Sequence, residues 1–381
     1  MKIWVYENSE GFTSYSAPLC EALTQHTDID VSLMTVRNNP MPLSGIQTLQ
    51  VLYSFDSKIE KRNTLKWVFN RVWISLINIL KRNHLVRKHK PDILSIQETI
   101  PIIDQFFLSR LKRHCRLVYT AHDVIPPNKS RFWTMKSLNR LYQAVDRIIV
   151  HSETNKEQLI DKFGVASEKI DVIHHGLKTG YEQLDRSLCR QAVGVDDDTP
   201  IILFYGSIRE QKGLDDLIRA LNGLHCRLVI AGAIPHGESF EQYDALIQQT
   251  DISVYKIIDY VSDEQTNSLF QAADIVALPY KYFYSQSGVF MQAIQYGKYI
   301  LATDVSSFGE YVRKWRLGCL CEPENIESIR SAVVELCQWI RIGAVNEFAD
   351  EAREENSWER SAELHIKVFE RELNRRNNGK H

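Results

Sequence analysis

Two doubly wound α/β domains, each a parallel sheet covered by helices on both faces, are what this 381-residue sequence predicts. Three observations carry the prediction. The chain is too long for one hydrophobic core, and ~150–200 residues is the usual size of a domain. Short β-rich runs alternate with longer segments of helical period, which places parallel strands between crossover helices. That alternation runs once, stops at a polar interval, and starts again.

The first set of strands falls at 2–6 (KIWVY), 30–36, 92–96, 116–120, 147–151 and 170–174. Helical period fills 14–26, 64–90, 103–114, 131–145 and 153–163 between them. The interval 179–199 is polar, ends in an Asp run before Pro200, and reads as a linker. Strands then recur at 200–205, 227–231, 253–258, 274–278 and 299–302, with helices at 213–223, 238–249, 263–272, 287–296 and 325–340. The resulting domains are 1–178 and 195–350. Residues 346–376 break the rhythm: one long charged helical region interrupted near Asn356-Ser357, with Ser357 as an N-cap. Its second part, 357–376, carries Trp358, Ala362, Ile366, Phe369 and Leu373 on one stripe and has no strand to precede. The expectation is a helix crossing back to the N-terminal domain; an extra helix on the second domain is the alternative. Open parallel sheets bind ligands outside the carboxyl ends of their strands, so a cleft between two such domains is the expected site.

Apolar residues make up 44% and charged residues 25%, which excludes a disordered chain, a collagen-like repeat and a disulfide miniprotein. The net charge of −2 hides an asymmetry: residues 1–178 hold 25 Lys+Arg against 17 Asp+Glu, and residues 179–381 hold 21 against 31. No bulk charge or recognition motif points to nucleic acid. Seven cysteines without paired spacing fit reduced thiols in a cytosolic protein. No His/Cys/Asp cluster has metal-ligand spacing, so neither a metal nor another cofactor is expected. The start runs into Glu7 and Asn8 without the apolar core of a secretory signal, and the most apolar window, Val72 to Leu80, is too short to span a bilayer. The expected place is the cytosol, or a membrane surface approached from it.

Three segments carry chemistry. Tyr205-Gly206-Ser207-Ile208-Arg209-Glu210-Gln211-Lys212-Gly213 follows the first strand of the second domain and opens a helix. A helix N-terminus already favours anions, and Arg209 and Lys212 add a planar fork and a point charge suited to a diphosphate. A solvated basic turn would look the same if these cations stood alone. Ser285-Gln286-Ser287-Gly288-Val289-Phe290-Met291-Gln292 leads small polar residues into a second helix, whose first N–H groups can bind phosphate. In the first domain Thr120-Ala121-His122-Asp123 places a histidine at a strand end. A lone histidine there serves structure more often than catalysis.

Taken in order, these segments resemble the retaining GT-B glycosyltransferases of family 4, over nearly the whole chain. The resemblance implies two Rossmann-like domains, an N-terminal acceptor domain and a C-terminal nucleotide-sugar domain, with the last helix returning to the first. It makes His122 of "AHDV" the active-site histidine that contacts the transferred sugar. "GSIREQKGLDDLIRAL" becomes the segment whose Arg209 and Lys212 clamp the donor diphosphate. In "ALPYKYFYSQSGVFMQAIQYGKYILATDV", Gly288 and Val289 would offer backbone N–H groups to the distal phosphate. The family's Glu-x7-Glu pair falls on Tyr284 and Gln292. Gln292 can still hydrogen-bond a ribose hydroxyl, and Ser285, Gln286 and Ser287 beside Tyr284 are the groups left to hold the donor sugar. The family's Gly-Gly loop after the first strand is represented by Gly11 alone.

The implied activity is retaining transfer of a sugar from a nucleotide-diphosphate donor to a glycan or lipid-linked acceptor, in surface polysaccharide assembly and without a metal. A catalytically silent subunit that binds a partner transferase, or a nucleotide-sugar epimerase, is the alternative. Residues 58–90 add ten Lys+Arg and one acid, Glu60, around a stripe of Leu65, Val68, Phe69, Val72, Trp73, Leu76, Ile77 and Leu80. The stripe reads as core, and the basic excess as attachment to an anionic membrane surface.

Overall fold

The computed structural model describes residues 1–8, 13–37, 39, 45–54, 65–125, 132–177, 180–283, 287–344 and 348–378. The chain divides into two compact units, Met1–Gly176 with Asn356–His381, and Leu177–Glu355.

The first unit is built on β1 (Lys2–Tyr6), β2 (Asp30–Val36), β3 (Gln47–Leu52), β4 (Ile93–Ile96), β5 (Arg116–Thr120), β6 (Arg147–Val150) and β7 (Ile170–Val172). Their order is β3-β2-β1-β4-β5-β6-β7, parallel throughout. Runs such as Ile93-Leu94-Ser95-Ile96 are buried at every position, as a sheet covered on both faces requires. β3 was not expected. Its sequence, QTLQVL, lies at the sheet edge with mostly half-exposed residues, so it lacks the continuous apolar run that marks the inner strands. The expected helix 103–114 is two short ones, Pro101–Asp104 and Leu108–Leu111.

The terminal helix Trp358–Asn378 belongs to this unit and lies against the helix Thr13–Thr24. Ser357 caps it, accepting the N–H of Arg360 at 3.0 Å. Trp358, Ala362 and Phe369 are buried with Tyr15 and Leu19. The Trp358 ring fills the place a side chain at Gly176 would need: a Cβ there would sit 2.0 Å from it. Arg147 of β6, almost fully buried, holds Asp171 at 3.2 Å and Glu372 of the terminal helix at 3.1 Å. Removing one partner of such a pair strands a buried charge, which fixes the helix in register.

The second unit contains β8 (Ile201–Tyr205), β9 (Arg227–Ala231), β10 (Ser253–Ile257), β11 (Ile275–Leu278), β12 (Tyr299–Thr303) and β13 (Gly318–Cys321), in the parallel order β10-β9-β8-β11-β12-β13. β13 (GCLC) was too short and glycine-led to be expected. The interval 179–199 is not a bare linker: it contains the helix Arg186–Ala192, capped by Asp185, and Arg190 pairs with Asp274 at 3.0 Å inside this unit. All seven cysteines are buried and none is in a disulfide.

One expectation is inverted. The helix Leu65–His89 buries Ser75, Asn78, Ile79, Arg82, Asn83 and Val86, while Leu65, Phe69 and Trp73 of the apolar stripe are 90%, 70% and 54% exposed. The cause is a buried ion pair. Arg82 reaches Asp104 through two hydrogen bonds of 2.6 and 2.7 Å, both side chains fully enclosed, and Asn78 binds Asn8 and the backbone of Tyr53. These polar anchors turn the helix so that the stripe faces outward.

Candidate active site

In each sheet the strand order changes direction once, at β1/β4 and at β8/β11, and the loops leaving the carboxyl ends there form the ligand crevice of a doubly wound sheet.

In the second unit, β8 ends at Tyr205 and Gly206 turns the chain with φ +93°. A Cβ on Gly206 would come within 3.3 Å of both the Lys212 Nζ and the Val289 Cγ2. Two separate segments of the sequence therefore meet at one point. The short turn Glu210–Lys212 and the left-handed Gly213, φ +69°, bring Lys212 back towards the strand end. Only glycine fits at 213, since a Cβ would lie 2.0 Å from the Pro279 carbonyl oxygen. The Lys212 ammonium stands 5.3 Å from the centre of the Tyr280 ring, which follows β11. Burial, and then the positive charge of Arg209, pushes the Lys212 pKa down to about 8. Neighbouring Lys281 is neutralised by Asp215 at 3.0 Å, whereas no ion pair is made by Arg209 or Lys212 among the described residues. Two cations without an ion-pair partner among the described residues have the chemistry to hold an anion at this strand end.

The helix Gly288–Gln295 faces this point with its N-terminus. The Ser287 hydroxyl accepts the Phe290 N–H at 3.3 Å, which leaves the Gly288 and Val289 N–H groups without an intrahelical acceptor. Among the described residues nothing lies within 4 Å of where a Cβ on Gly288 would be. Gln292, one turn on, is half-buried, and its side-chain amide makes no hydrogen bond among the described residues. Tyr284, Ser285, Gln286 and, in the first unit, Gly11 lie outside the described residues. A groove of about 590 Å³ lined in part by Arg209 also carries Glu210, Glu238 and Glu241, and three carboxylates disfavour a diphosphate there.

In the first unit, residues just past four adjacent strands converge: Gln97 after β4, His122 after β5, His151 after β6 and His175 after β7. His151 Nδ1 lies 2.9 Å from the Ile173 carbonyl oxygen. A carbonyl only accepts, so Nδ1 carries the proton and a neutral His151 offers Nε2 as acceptor. Its partner at 3.1 Å is His122 Nδ1, which must donate. His122 is thereby assigned as the Nδ1–H tautomer; its Nε2 lies 3.2 Å from the Gln97 Oε1, so this bond requires the Gln97 amide to be flipped, its nitrogen donating to His122 and its oxygen accepting from the Ser95 hydroxyl.

The set is neutral at physiological pH. Burial, reinforced by His175, pushes His151 down to about 3; burial, then His151, holds His122 well below the usual histidine range. The Tyr15 ring meets His122 edge-on at 4.6 Å and Trp358 at 5.1 Å. After β1, the buried Glu7 carboxylate accepts from Thr13 at 2.7 Å and Thr35 at 2.6 Å, and burial raises its pKa. Gln97, His151 and Tyr15 were not singled out from sequence, although His151 closed an expected strand and shared the strand-end position that drew attention to His122.

Two family models match the chain: "Glycosyltransferase Family 4" over residues 11–181 and "Glycosyl transferases group 1" over residues 185–338. An uncharacterized glycosyltransferase of Methanocaldococcus jannaschii is 27% identical over 237 residues, covering 58% of this chain and 59% of its own length. The D-inositol 3-phosphate glycosyltransferase of Rhodococcus opacus is 28% identical over 232 residues, 57% of this chain and 51% of that protein. The match thus spans little more than half the length of these curated relatives. Among solved structures, Anabaena HepE in complex with UDP superposes with a TM-score of 0.72 at 17% identity, over 97% of this chain and 100% of that one. At that identity the likeness concerns the fold, two Rossmann-like halves of GT-B type.

Proposed function

From the chain's membership of the family 4, group 1 glycosyltransferases, whose two models cover both of its units, we propose that it transfers a sugar from a nucleotide-diphosphate donor with retention at the anomeric carbon. The observation that carries the reading is the convergence of Gly206, Lys212 and Val289 at the β8/β11 strand ends, beside uncompensated cations and an open helix N-terminus. The diphosphate would accept from the Gly288 and Val289 N–H groups and from the Lys212 and Arg209 side chains. As the bond from the anomeric carbon to the leaving phosphate oxygen breaks, its electron pair goes to the diphosphate, where these donors stabilise the added charge without a metal. The acceptor oxygen bonds to the same face of that carbon, and its proton passes to the departing phosphate. His122 would position the sugar, as a neutral imidazole of fixed tautomer.

The proposed acceptor is a glycan or a lipid-linked acceptor of surface polysaccharide assembly, on the strength of the family resemblance. Anabaena HepE, also solved with UDP-glucose, makes a UDP-sugar the first donor to try. No helix among the described residues is long and apolar enough to cross a membrane, so contact with a lipid-linked acceptor would be peripheral.

A thermal-shift screen against UDP-, GDP-, ADP- and dTDP-sugars, with EDTA present throughout, tests the reading. One nucleotide should stabilise the protein, by about 2.7 kcal/mol at 100 times its Kd. Product analysis by NMR should then show the donor's anomeric configuration kept. No stabilisation by any of the four would overturn the donor assignment, and an inverted product would overturn retention.

A further inference from the structure

We propose that the outward face of the helix Leu65–His89 is a membrane-docking surface that inserts its apolar row into an anionic lipid bilayer. Leu65, Val68, Phe69, Val72, Trp73 and Leu80 are each at least 44% exposed, on a helix whose opposite face is buried. At 1.5 Å per residue the row from Leu65 to Leu80 is about 22 Å long. Phe69 and Trp73 stack on each other, their planes 6° apart, and form one flat aromatic surface in its middle.

Single exposed apolar residues are ordinary on a protein surface, but a contiguous row is not. Here the exposure is imposed by the fold. The helix cannot roll its row inward without pulling Arg82 off Asp104 and Asn78 off its contacts, which would leave the buried Asp104 carboxylate without its counter-charge. A polar face is held in and an apolar face is held out.

Charge decides what covers that face. The helix contains no acidic residue, and its outward cations are Lys66, beside Leu65 at one end of the apolar row, and Arg87 and Lys88, about two turns beyond Leu80 at the other. An amphipathic helix with basic flanks lies in the headgroup region of an anionic bilayer, its apolar side sunk about 5–10 Å. A second copy of the chain fits worse: in a two-fold pairing the Lys66 end of one helix would meet the Arg87 and Lys88 end of the other, cation against cation. The proposal concerns the first unit alone and does not depend on the identity of the donor.

Co-sedimentation with phosphatidylcholine vesicles, with and without 30% phosphatidylglycerol, tests it, using the full chain. Wild-type protein should bind the anionic vesicles and leave the neutral ones largely in solution. Phe69→Ser with Trp73→Ser should lower the partition coefficient by about tenfold for each ring removed. Lys66→Gln, Arg87→Gln and Lys88→Gln together should lower it by about 100-fold at low salt, at roughly fivefold per charge. Because these side chains are exposed, circular dichroism and thermal melts should match wild type, which separates lost docking from lost folding. Brominated acyl chains should quench wild-type fluorescence, and Trp73→Phe should remove most of that quenching.

Wild type that ignores anionic vesicles at low salt would overturn the proposal. So would a Phe69→Ser/Trp73→Ser protein that binds as well as wild type, since binding would then be electrostatic without insertion. A wild-type dimer by light scattering, made monomeric by the same double substitution and indifferent to vesicles, would assign the face to a second copy instead.

Discussion

The two sheets share one topology, yet the groups gathered at their strand ends are of opposite kinds. The first unit ends its strands in a closed chain of neutral groups, Gln97, His122, His151 and the Ile173 carbonyl, ringed by Tyr15, His175 and Trp358. The second ends its strands in an open arrangement: among the described residues, two cations have no carboxylate partner and the first N–H groups of a helix have no intrahelical acceptor. The crevice at a switch point is generic; what enters it is set by whether the polar groups satisfy one another. The open set has the chemistry to hold an anion, and the closed set has no net charge to offer one.

The largest expected effect breaks the comparison at its neutral side. His122→Ala should cut kcat by roughly 10²–10⁴, the range for a positioned polar group, and leave nucleotide affinity within about twofold. Steady-state kinetics beside calorimetric titration of the nucleoside diphosphate reads both. Loss of nucleotide binding with turnover intact would reverse the roles of the two units. Normal turnover would leave His122 as a structural member of the histidine chain.

The next effect tests the charged side. Lys212→Ala should weaken nucleoside diphosphate binding by about 1.5–3 kcal/mol, the worth of a charged hydrogen bond. Arg209 is exposed and more screened by solvent, so Arg209→Ala should cost less. The Lys212 pKa sharpens this. It is about 8 in the free protein, because burial and Arg209 disfavour the charge, and a bound diphosphate would raise it. Affinity should be full below pH 8 and fall by up to about tenfold per pH unit as pH rises through 8 towards the bound value. In Lys212→Met that slope should vanish. A wild-type affinity flat from pH 7 to pH 9.5 would remove Lys212 from the anion seat.

How much of this contrast was legible in the sequence depended on how local each signal was. Inner strands such as β4 and β8 announced themselves because burial on both faces demands continuous apolar runs. The edge strand β3 and the four-residue β13 made no such demand and were missed. Arg209, Lys212 and Gly288 could be read because each sits at a strand–helix junction, where the chemistry follows from position. The partnership of His122 with His151 could not: 29 residues separate them, and only the adjacency of β5 and β6 puts His151 Nε2 3.1 Å from His122 Nδ1. The exposed row of the helix Leu65–His89 shows the same limit. Its period revealed a stripe, but which face was buried was decided by Asp104, 22 residues beyond Arg82 on another helix.

The smallest effect concerns Gln292, which stands one turn into the Gly288 helix where the family has a carboxylate. Its backbone carbonyl is used by the Tyr296 N–H at 2.9 Å, but its half-buried side-chain amide has no partner among the described residues. An amide in that state is solvated before a ligand arrives, so the gain on meeting a ribose hydroxyl is only that of a neutral hydrogen bond. Gln292→Leu should therefore raise the donor KM by about 2–13-fold, equivalent to about 0.5–1.5 kcal/mol, with kcat nearly unchanged. Gln292→Glu restores the acceptor and should bind the donor at least as well as wild type, because a charged acceptor makes a stronger hydrogen bond to a hydroxyl. Its charge stands on the same helix as the proposed phosphate donors, four residues from Gly288, and works against the anion there. The Glu variant's KM should consequently fall as salt screens that repulsion, while the Leu variant's should not. Equal KM for wild type and the Leu variant would move the ribose to another part of the second unit and leave Gln292 as a surface amide.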